Sequence, residues 1–314
     1  NTLLTNMSIN KLGLERAYSR TAPWRKKTTL LRNTFLNELW DAEVFVKCEQ
    51  EQVIGAFKIR GAANFVLQLD EDVRKEGLVT HSSGNHAQAI AYLAHQFAIP
   101  ARIVMPENSS PVKVENAKKW GAKIVLCGPS IEQRMDAAAQ VLKRHCGTLV
   151  PPFDHEWIME GQATCAMEIL SEIDGLDIII APLGGGGLLS GSILAAKHFS
   201  PKTSVIGAEP QNASDGFEGL RTGKRVESHT VSTMADGLRT TVGAVPFEVI
   251  KQGVGDIWLA EEEEISNWQK RILRELKLVV EPSSAVPFAA IENQGNKIKG
   301  KRIAVIISGG NVDL

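Results

Sequence analysis

Four consecutive glycines, Gly184 to Gly187, follow an apolar run at 178–183 and precede a helical pattern that begins at Leu188. A glycine in a regular element costs roughly 0.5–1 kcal/mol relative to alanine, so such a run persists only where the backbone must bend or approach something closely. The pattern predicts a strand, a tight loop and a helix. Because a helix N-terminus offers unpaired N–H groups and a partial positive charge, the loop predicts an anion site, and phosphate is the natural occupant.

The glycine spacing does not fit the two common nucleotide loops. In a G-x-G-x-x-G frame that starts at Gly184, Leu189 occupies the third glycine position. Gly186 and Gly191 have the separation of a P-loop, but Ser192 follows where that motif needs lysine. The remaining interpretation is a small phosphate held by the backbone alone. The alternative is a loop that only lets the helix pack closely on the sheet.

Length, charge and cysteine content restrict the class of protein. The 314 residues exceed a typical domain of about 100–200 residues, which favours two α/β lobes. A formal net charge of −1 provides no basic surface for nucleic acid, and no apolar run approaches the ~20 residues of a membrane span. Four scattered cysteines without a C-x-x-C pair favour a reducing compartment. We therefore expect a cytoplasmic enzyme that binds neither nucleic acid nor membrane.

Strand and helix patterns alternate along most of the chain. We predict strands at 43–49, 78–81, 101–105, 123–126, 148–150, 177–181, 204–209, 256–259 and 302–308, and helices at 57–67, 86–97, 111–120, 131–144, 157–173, 188–198, 262–275 and 284–293. Such alternation predicts parallel sheets with helices on both faces. Ligands of these folds bind beyond the carboxyl ends of strands, where Ser82, Gly184, Glu209 and Ser308 lie. The basic run 25–27 is interpreted as solvated surface.

Lys58 opens one of the predicted helices among small and apolar neighbours. Taken alone, such a lysine is usually a surface residue. Partial desolvation near a helix N-terminus would lower its pKa, however, and a neutral amine forms a Schiff base with an aldehyde. Beside a phosphate-binding loop, this lysine suggests pyridoxal phosphate as the cofactor.

A polar loop follows the strand predicted at 78–81 and contains Ser82, Ser83, Asn85 and His86. Its hydroxyl and amide groups could bind a substrate carboxylate or a cofactor phenolate. The alternative is an ordinary helix cap, with Ser82 or Ser83 as the capping residue. We expect His86 to be structural rather than catalytic.

Two carboxylates, Glu209 and Asp215, flank a short loop after the strand predicted at 204–209. Carboxylate oxygens with a backbone carbonyl between them suit Mg²⁺ or Ca²⁺. On spacing alone, a solvated acidic loop is the more ordinary interpretation.

Five stretches occur in one order along the chain and carry a family resemblance: Phe57-Lys58-Ile59-Arg60-Gly61-Ala62, Ser82-Ser83-Gly84-Asn85-His86, Gly184 to Gly187, Glu281-Pro282-Ser283-Ser284-Ala285 and Ser308-Gly309-Gly310-Asn311. Over nearly its full length the sequence resembles the fold type II pyridoxal-phosphate enzymes, in the serine/threonine dehydratase and serine racemase branch. The resemblance implies two α/β lobes, each a mostly parallel twisted sheet flanked by helices.

The resemblance also implies roles for individual residues around pyridoxal phosphate. Lys58 would hold the cofactor and act as the base, while the other cofactor-binding residues would be Phe57, Asn85, Gly184, Gly185, Gly186, Gly187, Leu188, Glu281 and Ser308. Asn85 would meet the ring phenolate and Ser308 the ring nitrogen. A hydroxyl at that nitrogen implies a weaker electron sink than a carboxylate would, which favours β-elimination and proton exchange over transamination.

Further implied roles concern the substrate and a metal ion. Ser83 would be a second catalytic residue on the face opposite Lys58, an arrangement that permits racemisation without requiring it. Glu209, the Ala213 carbonyl and Asp215 match the divalent-metal site of the racemase-like branch, for Mg²⁺, Mn²⁺ or Ca²⁺. The substrate-side residues would be Ser82, Ser83, Asn85, His86, Arg134 and Thr240.

From this resemblance we expect a large cofactor-binding domain at 1–76 plus 150–314, a small mobile domain at 77–149, and a homodimer. The expected reaction removes water and then ammonia from L-serine or L-threonine to give a 2-oxo acid. Serine racemase with side dehydratase activity and 3-hydroxyaspartate dehydratase are the alternatives within the branch. A β-replacement synthase fits the paired serines and the metal carboxylates less well, and a non-catalytic binding protein would not need Lys58, Asn85 and Ser308.

Overall fold

The computed structural model of the protein describes residues 9–82, 84–109, 111–128 and 130–312. In chain order its elements are α1 (Lys11–Thr21), β1 (Leu30–Arg32), α2 (Thr34–Trp40), β2 (Glu43–Cys48), α3 (Lys58–Val66), α4 (Glu71–Lys75), β3 (Leu78–His81), α5 (Asn85–Phe97), β4 (Ala101–Pro106), α6 (Pro111–Lys118), β5 (Lys123–Cys127), α7 (Ile131–His145), β6 (Thr148–Leu149), α8 (Glu156–Glu172), β7 (Ile178–Pro182), α9 (Gly187–Phe199), β8 (Ser204–Pro210), α10 (Asp215–Thr222), α11 (Ala244–Gly253), β9 (Asp256–Ala260), α12 (Glu262–Arg271), α13 (Pro282–Glu292), α14 (Gly295–Ile298) and β10 (Arg302–Ile307). A π-helical turn, Ile272–Leu276, follows α12.

The strands form two sheets. The larger sheet has the order β1-β2-β10-β7-β8-β9, and the smaller has the order β5-β4-β3-β6. β1 pairs with β2 in antiparallel fashion, whereas the other pairs of named strands are parallel. This architecture confirms the predicted α/β fold with mostly parallel sheets flanked by helices.

Helices cover both faces of the large sheet, which explains why its central strands read as continuous apolar runs. Alternate residues of β7 face opposite ways: Ile178 and Ile180 pack with α12 and α13, while Ile179 and Ala181 pack with α8, α9 and α11. The large sheet therefore lies between two buried apolar clusters, one on each face.

Three helices, α3, α8 and α9, pack at unusually short distances because glycine lies at their contacts. A Cβ atom on Gly161 of α8 would lie 2.5 Å from the backbone oxygen of Arg60 in α3. One on Gly191 of α9 would lie 2.7 Å from backbone atoms of Met159 and Ala163 in α8. Since α3 begins at Lys58 and α9 begins in the glycine loop, α8 fixes the position of one relative to the other.

Five buried charged side chains join α3 to β2 and α8. Arg60 donates to Glu49 at 2.7 Å and to Glu168 at 2.8 Å, and Lys47 lies 2.7 Å from Glu168. Arg25 also pairs with Glu168. The side chains of these residues, hereafter the ionic cluster, are almost entirely shielded from solvent.

The expectation that the basic run 25–27 is solvated is wrong for Arg25, because Glu168 binds its guanidinium in the interior. Lys26 and Lys27 are exposed as expected. The sequence analysis also predicted no element before residue 43, where α1, β1 and α2 lie, and none at α10 and α11. Among the described helices, none combines the length and apolarity that crossing a membrane requires.

We expect Glu168→Ala to destabilise the protein by about 3–5 kcal/mol, because it leaves three buried cations without their shared counter-charge. Urea denaturation followed by circular dichroism measures this. Glu172→Ala, on the same helix, is the matched control: it removes only the exposed pair with Lys27 and should change stability by at most about 1 kcal/mol. Equal effects of the two substitutions would show that the ionic cluster contributes no more than a surface pair.

Candidate active site

A cavity of about 850 Å³ lies where the carboxyl ends of strands from both sheets meet. His81, Pro106, Pro182 and Ser308, which end or follow β3, β4, β7 and β10, all line it. It brings together these residues predicted for the site: Phe57, Lys58, Ser82, Asn85, His86, Arg134, Gly184, Gly185, Gly186, Gly187, Leu188, Thr240, Glu281 and Ser308. Ser83 lies outside the described residues. Glu209, Ala213 and Asp215 do not line this cavity and form a separate group.

Lys58 is the first residue of α3, and its amine opens into the cavity. The Nζ atom donates to the backbone oxygen of Pro152 at 2.8 Å. Desolvation by the cavity walls lowers the pKa of Lys58 to about 8, and the nearby negative charge of Glu281 opposes that shift. The lowered pKa increases the fraction of this amine that is neutral near physiological pH, and the neutral form is the one that attacks an aldehyde.

The glycine loop presents its backbone to the same cavity. Among the described residues, no acceptor pairs with the backbone N–H groups of Gly184, Gly185, Gly186, Gly187 or Leu188. Gly186 has a φ of 90°, a left-handed conformation that turns the chain into α9. The unpaired N–H groups and the N-terminal end of the α9 dipole together form an anion site.

Asn85, at the start of α5, is held by hydrogen bonds on both sides of its amide. Its Nδ2 atom donates to the carboxylate of Glu281 at 3.0 and 3.1 Å. Its Oδ1 atom accepts from Asn311 at 2.8 Å, and Asn311 donates in turn to the backbone oxygen of Ile54. This network fixes the orientation of Asn85 at the cavity wall.

Ser308 is buried beyond the end of β10 and lies 3.0 Å, Oγ to Oγ, from Ser284 of α13. Ser284 also contacts the backbone of Gly309, donating to its oxygen at 2.8 Å and accepting from its nitrogen at 2.9 Å. Sequence reasoning assigned no role to Ser284, or to Asn311, although both lie inside the stretches that carry the family resemblance.

His86 is buried, and its Nε2 atom lies 3.0 Å from the backbone oxygen of Val150. Burial, followed by the charge of Lys58, lowers the pKa of His86 to about 3, so the ring is neutral at physiological pH. These contacts are consistent with the structural role expected for it.

The capping alternative for Ser82 fails, because Gly84 is the N-cap of α5 and Ser82 only accepts from the Gly84 N–H at 3.3 Å.

Positive charge lies on the small-sheet side of the cavity. Arg134 of α7 and His81 at the end of β3 both line the cavity. Desolvation, together with the charge of Arg134, lowers the pKa of His81. Sequence reasoning named Arg134 but not His81, whose adjacency to Arg134 depends on the packing of α7 against β3.

Glu209 and Asp215 are both buried at the end of β8 and the start of α10. Glu209 accepts from the backbone N–H groups of Gly216 and Phe217 at 2.9 and 2.8 Å, and Asp215 accepts from that of Val242 at 2.8 Å. Burial raises the pKa of both carboxyl groups, and the charge of Asp215 raises that of Glu209 further.

Within the described part of the chain, neither carboxylate forms a salt bridge with lysine or arginine. There too, His, Cys, Asp and Glu side chains do not gather in any group of three or more that could hold a metal. Two buried carboxylates without a cationic side chain nevertheless suit a hard divalent ion whose other ligands are carbonyl oxygens or water.

The cavity residues fit pyridoxal phosphate on three counts. A desolvated lysine amine, a glycine loop with unpaired N–H groups and a buried serine hydroxyl match the cofactor's aldehyde, phosphate and ring nitrogen in kind. A Cβ atom on Gly185 would lie 2.2 Å from the ring of Phe153, so a side chain there would displace the loop. The fold and cavity thus define an enzyme built around this cofactor.

Comparisons with known proteins agree with that class. The family described as "Pyridoxal-phosphate dependent enzyme" matches residues 22–309. Serine racemase of Schizosaccharomyces pombe is 43% identical over 95% of this chain and 93% of its own length. The beta-hydroxyaspartate dehydratase of Paracoccus denitrificans is 39% identical, over 95% of each chain. The structure of maize serine racemase superimposes with a TM-score of 0.94 at 37% identity, covering 96% of this chain and 93% of that one.

The chain belongs to the pyridoxal-phosphate-dependent enzymes, in the fold type II branch that contains serine racemases and serine/threonine dehydratases.

We expect the rate of cofactor uptake by the apoenzyme to rise about tenfold per pH unit up to about pH 8 and then to level off. The reason is that protonation below the lowered pKa of Lys58 removes the reactive amine. Stopped-flow absorbance of added pyridoxal phosphate between pH 6 and 10 measures the profile. Lys118→Ala, which removes an exposed lysine, should leave it unchanged. A rate that keeps rising to pH 10 would mean that Lys58 has an ordinary pKa.

Proposed function

We propose that the protein catalyses the α,β-elimination of small β-hydroxy amino acids, converting L-serine and L-threonine to a 2-oxo acid and ammonia. The observation that carries this proposal is the opening of the Lys58 amine and the glycine loop into one cavity. Pyridoxal phosphate, when bound, withdraws electrons from the α-carbon of an amino acid and so allows bonds at that carbon to break.

The residues of this chain then act as follows. The backbone N–H groups of 184–188 would bind the phosphate. Lys58 would hold the cofactor and, as a free amine, would remove the α-proton. Phe57, Asn85, Glu281 and Ser308 line the cavity. In this proposal Asn85 would meet the ring phenolate and Ser308 the ring nitrogen. Ser82, Asn85, His86 and Thr240 are proposed for the substrate side.

A second candidate activity, dehydration of 3-hydroxyaspartate, is favoured by the positive charge of Arg134 on the cavity wall. A guanidinium pairs with carboxylates through two parallel hydrogen bonds, so Arg134 suits a substrate with a second carboxylate. A relative at 39% identity carries the name beta-hydroxyaspartate dehydratase.

Racemisation of serine is the other alternative: it would need Ser83 as a second acid or base, and the 43% identical relative is a serine racemase.

We also propose that Glu209, the Ala213 carbonyl and Asp215 bind a divalent cation, Mg²⁺ or else Mn²⁺ or Ca²⁺. The two buried carboxylates with raised pKa values support this, because a cation would offset their desolvation and mutual repulsion.

The family resemblance supports three further proposals: a homodimer, a cytoplasmic location, and a division into a large domain at 1–76 plus 150–314 and a mobile small domain at 77–149. The four strands of the smaller sheet all lie between residues 78 and 149, which is consistent with that division. Four unpaired cysteines are consistent with a reducing compartment.

The activity test supplies the purified holoenzyme with L-serine, L-threonine, D-serine and L-threo-3-hydroxyaspartate, and measures keto acid and enantiomer together. Keto acid from L-serine and L-threonine is expected, and Lys58→Ala should keep the fold but lose at least about 100-fold in turnover. Undiminished turnover in Lys58→Ala would refute the role of this lysine. D-serine that appears before keto acid would instead identify a racemase.

Arg134→Ala distinguishes the dicarboxylic substrate in the same assay. If 3-hydroxyaspartate is the substrate, kcat/KM for it should fall about 10- to 100-fold relative to that for serine, since one charged hydrogen-bonding partner is lost. Arg144→Ala, exposed on the same helix, is the control.

Removal of divalent cations with a chelator should lower the thermal midpoint of the wild-type enzyme, and added Mg²⁺ should restore it, because a ligand of the folded state stabilises that state. Glu209→Gln should be insensitive to both treatments. Glu263→Gln, which alters an exposed carboxylate of α12, should respond like the wild type. A wild-type midpoint that the chelator leaves unchanged would argue against the cation site.

A further inference from the structure

The hydroxyl groups of Ser284 and Ser308 form a buried pair behind the cavity. Their Oγ atoms lie 3.0 Å apart, and Ser284 is fully buried while Ser308 is 3% exposed. Ser308 lines the cavity, whereas Ser284 lies behind it on α13. Ser284 is therefore placed to act on cavity chemistry only through Ser308.

The hydroxyl protons of Ser284 and Ser308 can be arranged in two ways. Ser284 has one hydroxyl proton and two acceptors within reach, Ser308 Oγ at 3.0 Å and the backbone oxygen of Gly309 at 2.8 Å. The Gly309 oxygen also accepts from the backbone N–H of Glu281 at 3.1 Å, so it keeps a partner in either case. When Ser284 donates to Gly309, Ser308 donates to Ser284; when Ser284 donates to Ser308, the Ser308 proton is directed into the cavity.

We propose that Ser284 is a positioning residue that lets Ser308 either donate a hydrogen bond to the cofactor's ring nitrogen or accept one from its N–H. This inference rests on the proposed function, which puts that nitrogen opposite Ser308. When Ser284 donates to Ser308, the Ser308 proton is free for an unprotonated nitrogen. When Ser284 donates to Gly309, the Ser308 oxygen is free to accept from a protonated one. In this chain, a serine beside the ring nitrogen is therefore compatible with a protonated as well as an unprotonated nitrogen.

The two arrangements depend on Ser284 unequally. Without Ser284, Ser308 still donates to an unprotonated nitrogen. A protonated nitrogen would occupy the Ser308 oxygen as an acceptor and leave the Ser308 O–H buried without an acceptor, which is unfavourable. Ser284 therefore raises the proton affinity of the ring nitrogen and strengthens the electron sink.

Two charged groups lie around the pair. The Glu281 carboxylate is near Gly309, since a Cβ atom on that glycine would lie 3.0 Å from Glu281 Oε1. Lys58 follows Phe57, whose N–H donates to the backbone oxygen of Ser308 at 3.0 Å. Both charges remain when Ser284 is substituted, so a change in ring protonation would report on the hydroxyl alone.

The experiment reconstitutes the enzyme with pyridoxal phosphate labelled with ¹⁵N at the ring nitrogen and follows its chemical shift with pH. We expect Ser284→Ala to lower the proton-binding constant of that nitrogen at least about tenfold. Ser284→Cys, which keeps a weak donor and acceptor in similar volume, should lie between the wild type and Ser284→Ala. Ser192→Ala is the control, since this buried serine donates within α9 only.

An unchanged titration of the ring nitrogen in Ser284→Ala would overturn the inference. If Ser284→Ala does not fold, an unchanged titration in Ser284→Cys decides in the same way. A wild-type chain that takes up no cofactor would overturn the proposed function itself, so the two failures are distinguishable.

Discussion

The paired hydrogen bonds from Arg60 to Glu49 and Glu168 hold the active-site elements in register. Arg60 lies two residues beyond Lys58 on α3, so its guanidinium ties the Lys58 end of that helix to Glu49, just after β2, and to Glu168 of α8. Because α8 also packs against α9 through Gly191, the ionic cluster indirectly fixes the distance between Lys58 and the glycine loop. A buried ion pair is weak evidence for stability, but removal of one partner is strongly destabilising, so the cluster constrains position.

The cavity is built by backbone as much as by side chains. The glycine loop offers N–H groups without acceptors in the described part of the chain, and only a phosphate or another anion satisfies several of them together. Its shape depends on the absence of side chains, since Gly185 packs against Phe153. Among the described residues that line this cavity, Lys58 is the only lysine, and its lowered pKa is a consequence of the same enclosure.

Local patterns were sufficient to predict the strands around the cavity, the strand–loop–helix order around the four glycines and the helix that Lys58 opens, because each depends on residues adjacent in sequence. Contacts across the chain were not predictable in this way. Arg25 reads as part of an exposed basic run, yet Glu168, 143 residues away, makes it a buried residue. Ser284 reads as a helix-start serine, and only the packing of α13 against the end of β10 places its hydroxyl beside Ser308. Burial and pairing at such separations depend on tertiary structure, which periodicity does not encode.

Asp215, one of the two carboxylates of the candidate cation site, is connected to the glycine loop through the backbone of residues 242–243. Asp215 accepts from the N–H of Val242, and the next residue, Gly243, donates to the backbone oxygen of Gly185 at 3.1 Å. Protonation of Asp215 would weaken its hydrogen bond from Val242, and displacement of Asp215 would break it, which would loosen the segment that supports the glycine loop. The proposed cation would keep Asp215 ionised, and an ionised carboxylate is the stronger acceptor for that N–H. The cation would therefore act on cofactor binding through the loop, without contact with the substrate.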